Sequence, residues 1–133
     1  MGTANYYGPD QKPEKEGTIM FADFQLENQW FGAMDSAREH KFDFNEAISL
    51  IINCETQEEI DYYWQLSADP KAEQCGWLKD KFGLSWQVNP SLMDKMLLDK
   101  DQKKVARVTK AFLKMKKFDL AELERAYEGG VAV

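Results

Sequence analysis

Side chains able to do chemistry are few and widely spaced in this chain. His40 is the only histidine, and it sits beside Glu39 with Asp43 and Glu46 close by. A histidine among carboxylates is the minimum for a divalent-metal site. No H-E-x-x-H or other dense ligand spacing accompanies it, so a solvated loop histidine is the stronger reading. Cys54 and Cys75 are the only cysteines. They form no C-x-x-C, which removes a zinc knuckle and a thioredoxin-type pair. Lys79 and Lys81 follow Cys75, and cations lower a thiol pKa. No histidine is close in sequence to serve as its base, so both thiols read as reduced and buried. No serine nucleophile elbow is present, and no glycine-rich nucleotide loop follows a strand. Arg107, Lys110, Lys114 and Lys117 repeat at helical spacing opposite Val108, Phe112 and Met115. No stacking aromatics alternate with them, so this is the solvated face of an amphipathic helix. Four tryptophans (Trp30, Trp64, Trp77 and Trp86) are many for the length, and three fall on predicted strands. Core packing is their default role. A sheet that turns tryptophan, methionine and glutamine toward a concavity would also suit a small, partly aromatic ligand.

The elements that position these residues follow from hydrophobic period. Residues 3–7 predict a short strand, and GPDQKPEKEG a loop. Met20, Ala22, Phe24 and Leu26 alternate with Asp23, Gln25 and Glu27, which predicts a strand over 18–27. Glu27-Asn28 is a two-residue turn, with Asn tolerating positive φ, and 29–35 is the returning strand. Residues 47–54 are nearly all apolar and predict a strand buried on both faces. Thr56-Gln57-Glu58-Glu59 is a capping box that opens a helix with Ile60, Tyr63, Trp64 and Ser67 on one stripe. Asp69-Pro70 ends that helix. Residues 74–79 and 84–88 predict strands joined by a turn at Lys81-Phe82-Gly83. After Pro90 the period becomes helical, with stripes Leu92, Met93, Met96, Leu97 and then Val105, Val108, Phe112, Met115. Asp119 caps a last helix that Gly129-Gly130 stops. The order is α+β.

With 133 residues and 44% apolar side chains, one domain with its own core is expected. The net charge is −6, divided as −9 over residues 1–90 and +3 over 91–133. The acidic majority argues against a nucleic-acid partner. No apolar run approaches the ~18 residues of a membrane span. Met1–Asp10 has neither the charge nor the apolar stretch of a secretory signal, and Tyr6 stands where myristoylation requires Ser or Thr. A cytoplasmic chain is the expectation.

The runs GTIMFADF, FNEAISLIINC, CGWLKDKFGLSWQV and LKMKKFDLAELERAYEG resemble the PhnB-like branch of the vicinal oxygen chelate, or glyoxalase-fold, superfamily, from about Tyr7 to Gly129. That branch often carries a demethylubiquinone methyltransferase label. The resemblance implies glyoxalase-like βαβββ modules curling into a curved mixed sheet around a small-molecule site. Residues 3–35 correspond to the last three strands of a first, incomplete module. Residues 47–89 correspond to the second module, and 90–128 to a helical tail. Catalytic members place a histidine on a module's first strand and a glutamate on its last. The corresponding positions here are Ile48 or Ser49, and Gly32 and Gln87. None is a good divalent-metal ligand, so the fold does not bring the metal chemistry with it.

The expectation is therefore a metal-free, cofactor-free cup for a small molecule. Strand parity turns Trp30, Gly32 and Met34 to the cavity with Ser85 and Gln87, and Ser49 and Trp77 contribute. Gln87 would orient the ligand by hydrogen bonding. The alternative is a metal-dependent lyase, isomerase or dioxygenase on a small oxygenated substrate, with Gln87 or His40 holding a weak metal. A third class is an interaction protein docking through its helical tail. Methyl transfer is disfavoured by the missing adenosine-binding loop. An incomplete first module leaves a sheet edge and an apolar face on strands 18–27 and 29–35, so a homodimer is expected.

Overall fold

The computed structural model describes residues 2–130. The chain divides into two compact units, with the boundary between Phe42 and Asp43.

The first unit is an antiparallel sheet of β1 (Ala4–Tyr6), β2 (Ile19–Leu26) and β3 (Gln29–Met34), with β2 in the centre. Leu26 faces Gln29 across a two-residue turn, as the sequence predicts. Positive φ falls on Glu27, at 53°, rather than on Asn28. The β1–β2 register shifts between Asn5 and Tyr6, a bulge that interrupts the simple alternation of β2. Phe24 and Phe31 stack on one face with ring centroids 5.6 Å apart. No described residue of this unit is fully buried. A three-stranded sheet carrying no helix has nothing of its own to seal either face.

The second unit holds β4 (Ser49–Cys54), α1 (Gln57–Trp64), β5 (Trp77–Lys79), β6 (Ser85–Pro90), α2 (Ser91–Leu97), α3 (Gln102–Phe112) and α4 (Leu120–Glu128). Its sheet is mixed, with β6 central, parallel to β4 and antiparallel to β5. The strands are thus shared between two three-stranded sheets, one in each unit.

Helix α1 lays Ile60 onto Cys54, Leu78 and Val88, all of them at most 1% exposed. It covers one face of the sheet. The expectation that 47–54 is buried on both faces is corrected, because Ile48 and Ile51 are 72% and 57% exposed. The predicted capping box forms in part. Thr56 accepts from the Glu59 amide at 3.2 Å, while the Glu59 carboxylate reaches the amide of Glu55 rather than that of Thr56. The helix also ends at Trp64, well before Asp69-Pro70.

The strand expected over 74–79 begins only at Trp77. Cys75 and Gly76 have φ of 48° and 80°, so Gln74–Trp77 is a tight turn. Its two central amides donate to Met115 and Lys116 carbonyls at 2.9 and 2.8 Å, which fixes the turn against the segment after α3. Asp80 organises the next hairpin, accepting from the amides of Phe82 and Leu84 and from the Trp86 indole at 2.9 Å.

The C-terminal helices close a second core of Met93, Met96, Val108, Met115, Phe118 and Leu123. Asp119 caps α4 by accepting from Glu122, and Gly129 ends it at φ 86°, both as the sequence predicts. Gln57 joins α1 to this layer, donating to the Phe118 carbonyl and accepting from the Leu120 amide.

Candidate functional site

The face of the second sheet turned away from α1 gathers four of the predicted residues. Ser49 and Ser85 are partners in the parallel β4–β6 ladder. Trp77 and Gln87 are partners in the antiparallel β5–β6 ladder. Residues opposite one another in a ladder share a face, so all four point away from α1. Gln87 Nε2 donates to Ser49 Oγ at 2.8 Å. Its carboxamide oxygen takes no protein donor among the described residues and is not sealed from solvent. Ser85 is 1% exposed.

Two further groups complete this face, and sequence reading missed both. Ile51 stands opposite Gln87 in the parallel ladder, so Gln87 lies between an indole and a branched aliphatic side chain. Its membership followed from the parity of Ser49, but the assumption of two buried faces concealed it. Lys79 stands opposite Ser85, and its ammonium is held by the Glu46 carboxylate. The Lys79 hydrogen bond holds the Glu46 carboxyl below its usual range, and the same contact raises Lys79. No spacing in the sequence pairs residues 46 and 79.

The resemblance sets a module's first-strand and last-strand positions beside one another, and Ser49 and Gln87 are neighbours on adjacent strands. A serine hydroxyl and one neutral carboxamide lack the carboxylate, thiolate or imidazole donors that a zinc-type catalytic site uses. Among the described residues no three His, Cys, Asp or Glu side chains gather to hold a metal. Glu46 is engaged by Lys79, and His40 lies against the Phe42 ring at 5.1 Å between centroids.

Trp30, Gly32 and Met34 belong to the first unit and share one face of its sheet with Phe21, Asp23 and Gln25. The Trp30 ring lies over Gly2, where an added Cβ would come within 2.9 Å of it. The Phe21 ring occupies the space above Gly32, so a Cβ there would meet it at 3.1 Å. Gly32 thus makes room for packing inside its own unit. Met34 is 75% exposed and lines an open cleft with Tyr7 and His40.

The basic stripe divides in use. Arg107 donates to the Ala126 and Tyr127 carbonyls at 2.8 and 2.6 Å, closing the end of α4. Lys117 pairs with Asp61 at 2.5 Å, which holds that carboxyl below its usual range.

A family model described as 3-demethylubiquinone-9 3-methyltransferase matches residues 1–89. A solved PhnB protein from Bacillus cereus is similar at 37% identity, with 67% of this chain and 77% of that chain covered and a TM-score of 0.53. No curated protein matches. The α+β architecture is glyoxalase-like, and the chain belongs to the PhnB-like family.

Proposed function

We propose that the protein binds a small organic molecule without a metal, on the face of the second sheet opposite α1. The observation that carries this is the Ser49–Gln87 pair, whose amide hydrogen is satisfied while its carbonyl oxygen still offers an acceptor between Trp77 and Ile51. A single aimed acceptor with an indole and an aliphatic beside it suits a partly aromatic ligand that carries a hydroxyl or amide donor. Trp30, Gly32 and Met34 lie on the sheet of the first unit and take no part in this reading, and catalysis is not part of it either. We further propose a cytoplasmic homodimer, in which the unsealed sheet of the first unit is covered by a second copy.

The test is a fragment screen by ligand-observed NMR, repeated with Gln87→Leu. Hits that shift Trp77 and lose about tenfold in affinity in the variant support the reading, as expected for one lost hydrogen bond to a desolvated partner. Hits unaffected by the variant overturn it. Elemental analysis after dialysis is expected to find no stoichiometric zinc, nickel or iron. The methyltransferase name of the family is addressed by calorimetry with S-adenosylmethionine. Tight binding would displace this proposal, since no glycine-rich loop after a strand is present to hold the nucleoside.

A further inference from the structure

The first unit contains an open cleft of about 710 Å³. That lies within the ~300–1,000 Å³ of small-ligand sites. Its rim is built rather than accidental. Glu14, whose side chain is only 7% exposed, accepts from Ser36 Oγ at 2.9 Å and from the Ala37 amide at 2.7 Å. The Tyr7 hydroxyl donates to the Asp35 carbonyl at 2.6 Å. These bonds fasten the loop after β3 to the loop after β1.

The charges that remain decide what the cleft would accept. Glu14 is consumed by its amide and hydroxyl donors, with Arg38 Nε at 4.0 Å. Lys12 and Arg38 then supply two cations, and Asp10 and Asp35 two anions. The side chains of Asp10 and Lys12 have no hydrogen-bond partner among the described residues, and Arg38 has only the long contact to Glu14. A simple anion would meet the two aspartates, and a simple cation would meet Lys12 and Arg38. Asp35 keeps one carboxylate oxygen on the Ser36 amide at 2.9 Å, and a neutral apolar molecule would add no partner to any of the four charges. Alongside them, Met34 and Phe42 line the cleft and are each 75% exposed, so they offer apolar surface to a molecule entering it. Methionine adapts its shape to the body of a ligand.

We infer that this cleft binds a zwitterion with an apolar side group, that is, a free α-amino acid with an aromatic or aliphatic side chain. The carboxylate goes to Arg38 and Lys12, the ammonium to Asp10 and Asp35, and the side chain to Met34 and Phe42. Every residue lining this cleft belongs to the first unit, and the inference uses no residue of the second.

The experiment is a titration followed by ¹H–¹⁵N NMR with three probes: L-phenylalanine, phenylacetate and phenethylamine. L-phenylalanine is expected to shift the amides of residues 8–14 and 35–42 saturably. Each half-charged probe is expected to bind at least about tenfold more weakly, the scale of one lost charge-assisted contact. Asp10→Asn should weaken L-phenylalanine but not phenylacetate, and Arg38→Gln should weaken L-phenylalanine but not phenethylamine. Absence of a saturable shift with L-phenylalanine overturns the inference. So does a half-charged probe that binds the wild-type chain as tightly, a result that depends on no variant folding.

Discussion

Gln87 is the side chain on which the proposed site turns, and its environment separates a ligand role from a purely structural one. It is half-buried and bonded to a half-buried serine, so water can replace either partner. Gln87→Leu is expected to change stability by no more than about 1 kcal/mol, read as a small shift in thermal midpoint. A loss of many degrees would mean that the amide holds the sheet together and would weaken the ligand reading. Cys54 makes a second prediction at this scale. Burial, with Glu59 and Glu55 adding to it, pushes its thiol from 9.0 up to about 11. The folded state therefore favours the neutral thiol. That contribution is complete below pH 9 and is lost as the pH rises toward 11, so stability should fall across that window. At neutral pH, iodoacetamide should spare Cys54 in the native chain and modify it in urea. Alkylation of Cys54 without unfolding would contradict its burial.

At the level of elements, the Gln74–Trp77 turn and the end of α4 carry more weight than their sequences suggest. Gly76 combines a φ of 80° with the Phe118 ring, which an added Cβ would approach to 2.3 Å. Gly76→Ala forces both a strained backbone and a displaced core ring, and the cost should be about 3 kcal/mol or more. Chemical denaturation measures it directly, and a near-neutral result would mean that Phe118 has room to move. Arg107 sits on the solvated stripe by its spacing, yet its guanidinium reaches two terminal carbonyls of α4. Arg107→Ala should cost about 1–2 kcal/mol. Arg107→Lys should recover only part of this, because one ammonium does not reproduce a fork. Full recovery by lysine would show that charge alone matters.

For the whole molecule, the contrast between the units is the main physical fact. Every fully buried described residue lies between Cys54 and Leu123, in the second unit. Residues 43–133 are therefore expected to melt cooperatively as an isolated fragment, and residues 1–42 to show no cooperative transition. An unfolded 43–133 fragment would show that its two clusters depend on the first unit. The homodimer is tested by light scattering on a sizing column, where a mass near twice 15.4 kDa is expected. A stable monomer would mean that the first sheet tolerates its exposure.

The sequence by itself determined the order of elements, the two-residue hairpin at Glu27-Asn28, the Asp119 cap and Gly129 stop of α4, and the apolar stripe of α1. These are local matters, set by period, capping chemistry and φ preference over a few residues. The resemblance pointed to Ile48 or Ser49 and to Gln87, and parity grouped Gln87 with Ser85, Trp30, Gly32 and Met34; the ladders put Ser49, Trp77, Ser85 and Gln87 on one face, whereas Trp30, Gly32 and Met34 lie in the first unit. What only the tertiary structure decided is every pairing between distant segments. Glu46 with Lys79, Gln57 with the start of α4, and Glu14 with Ser36 join residues whose separation carries no periodic signal. The sequence assigned β4 two buried faces because apolar content alone does not say how many covering elements exist. One helix covers one face, so Ile51 was left open beside Gln87, where the proposed site lies.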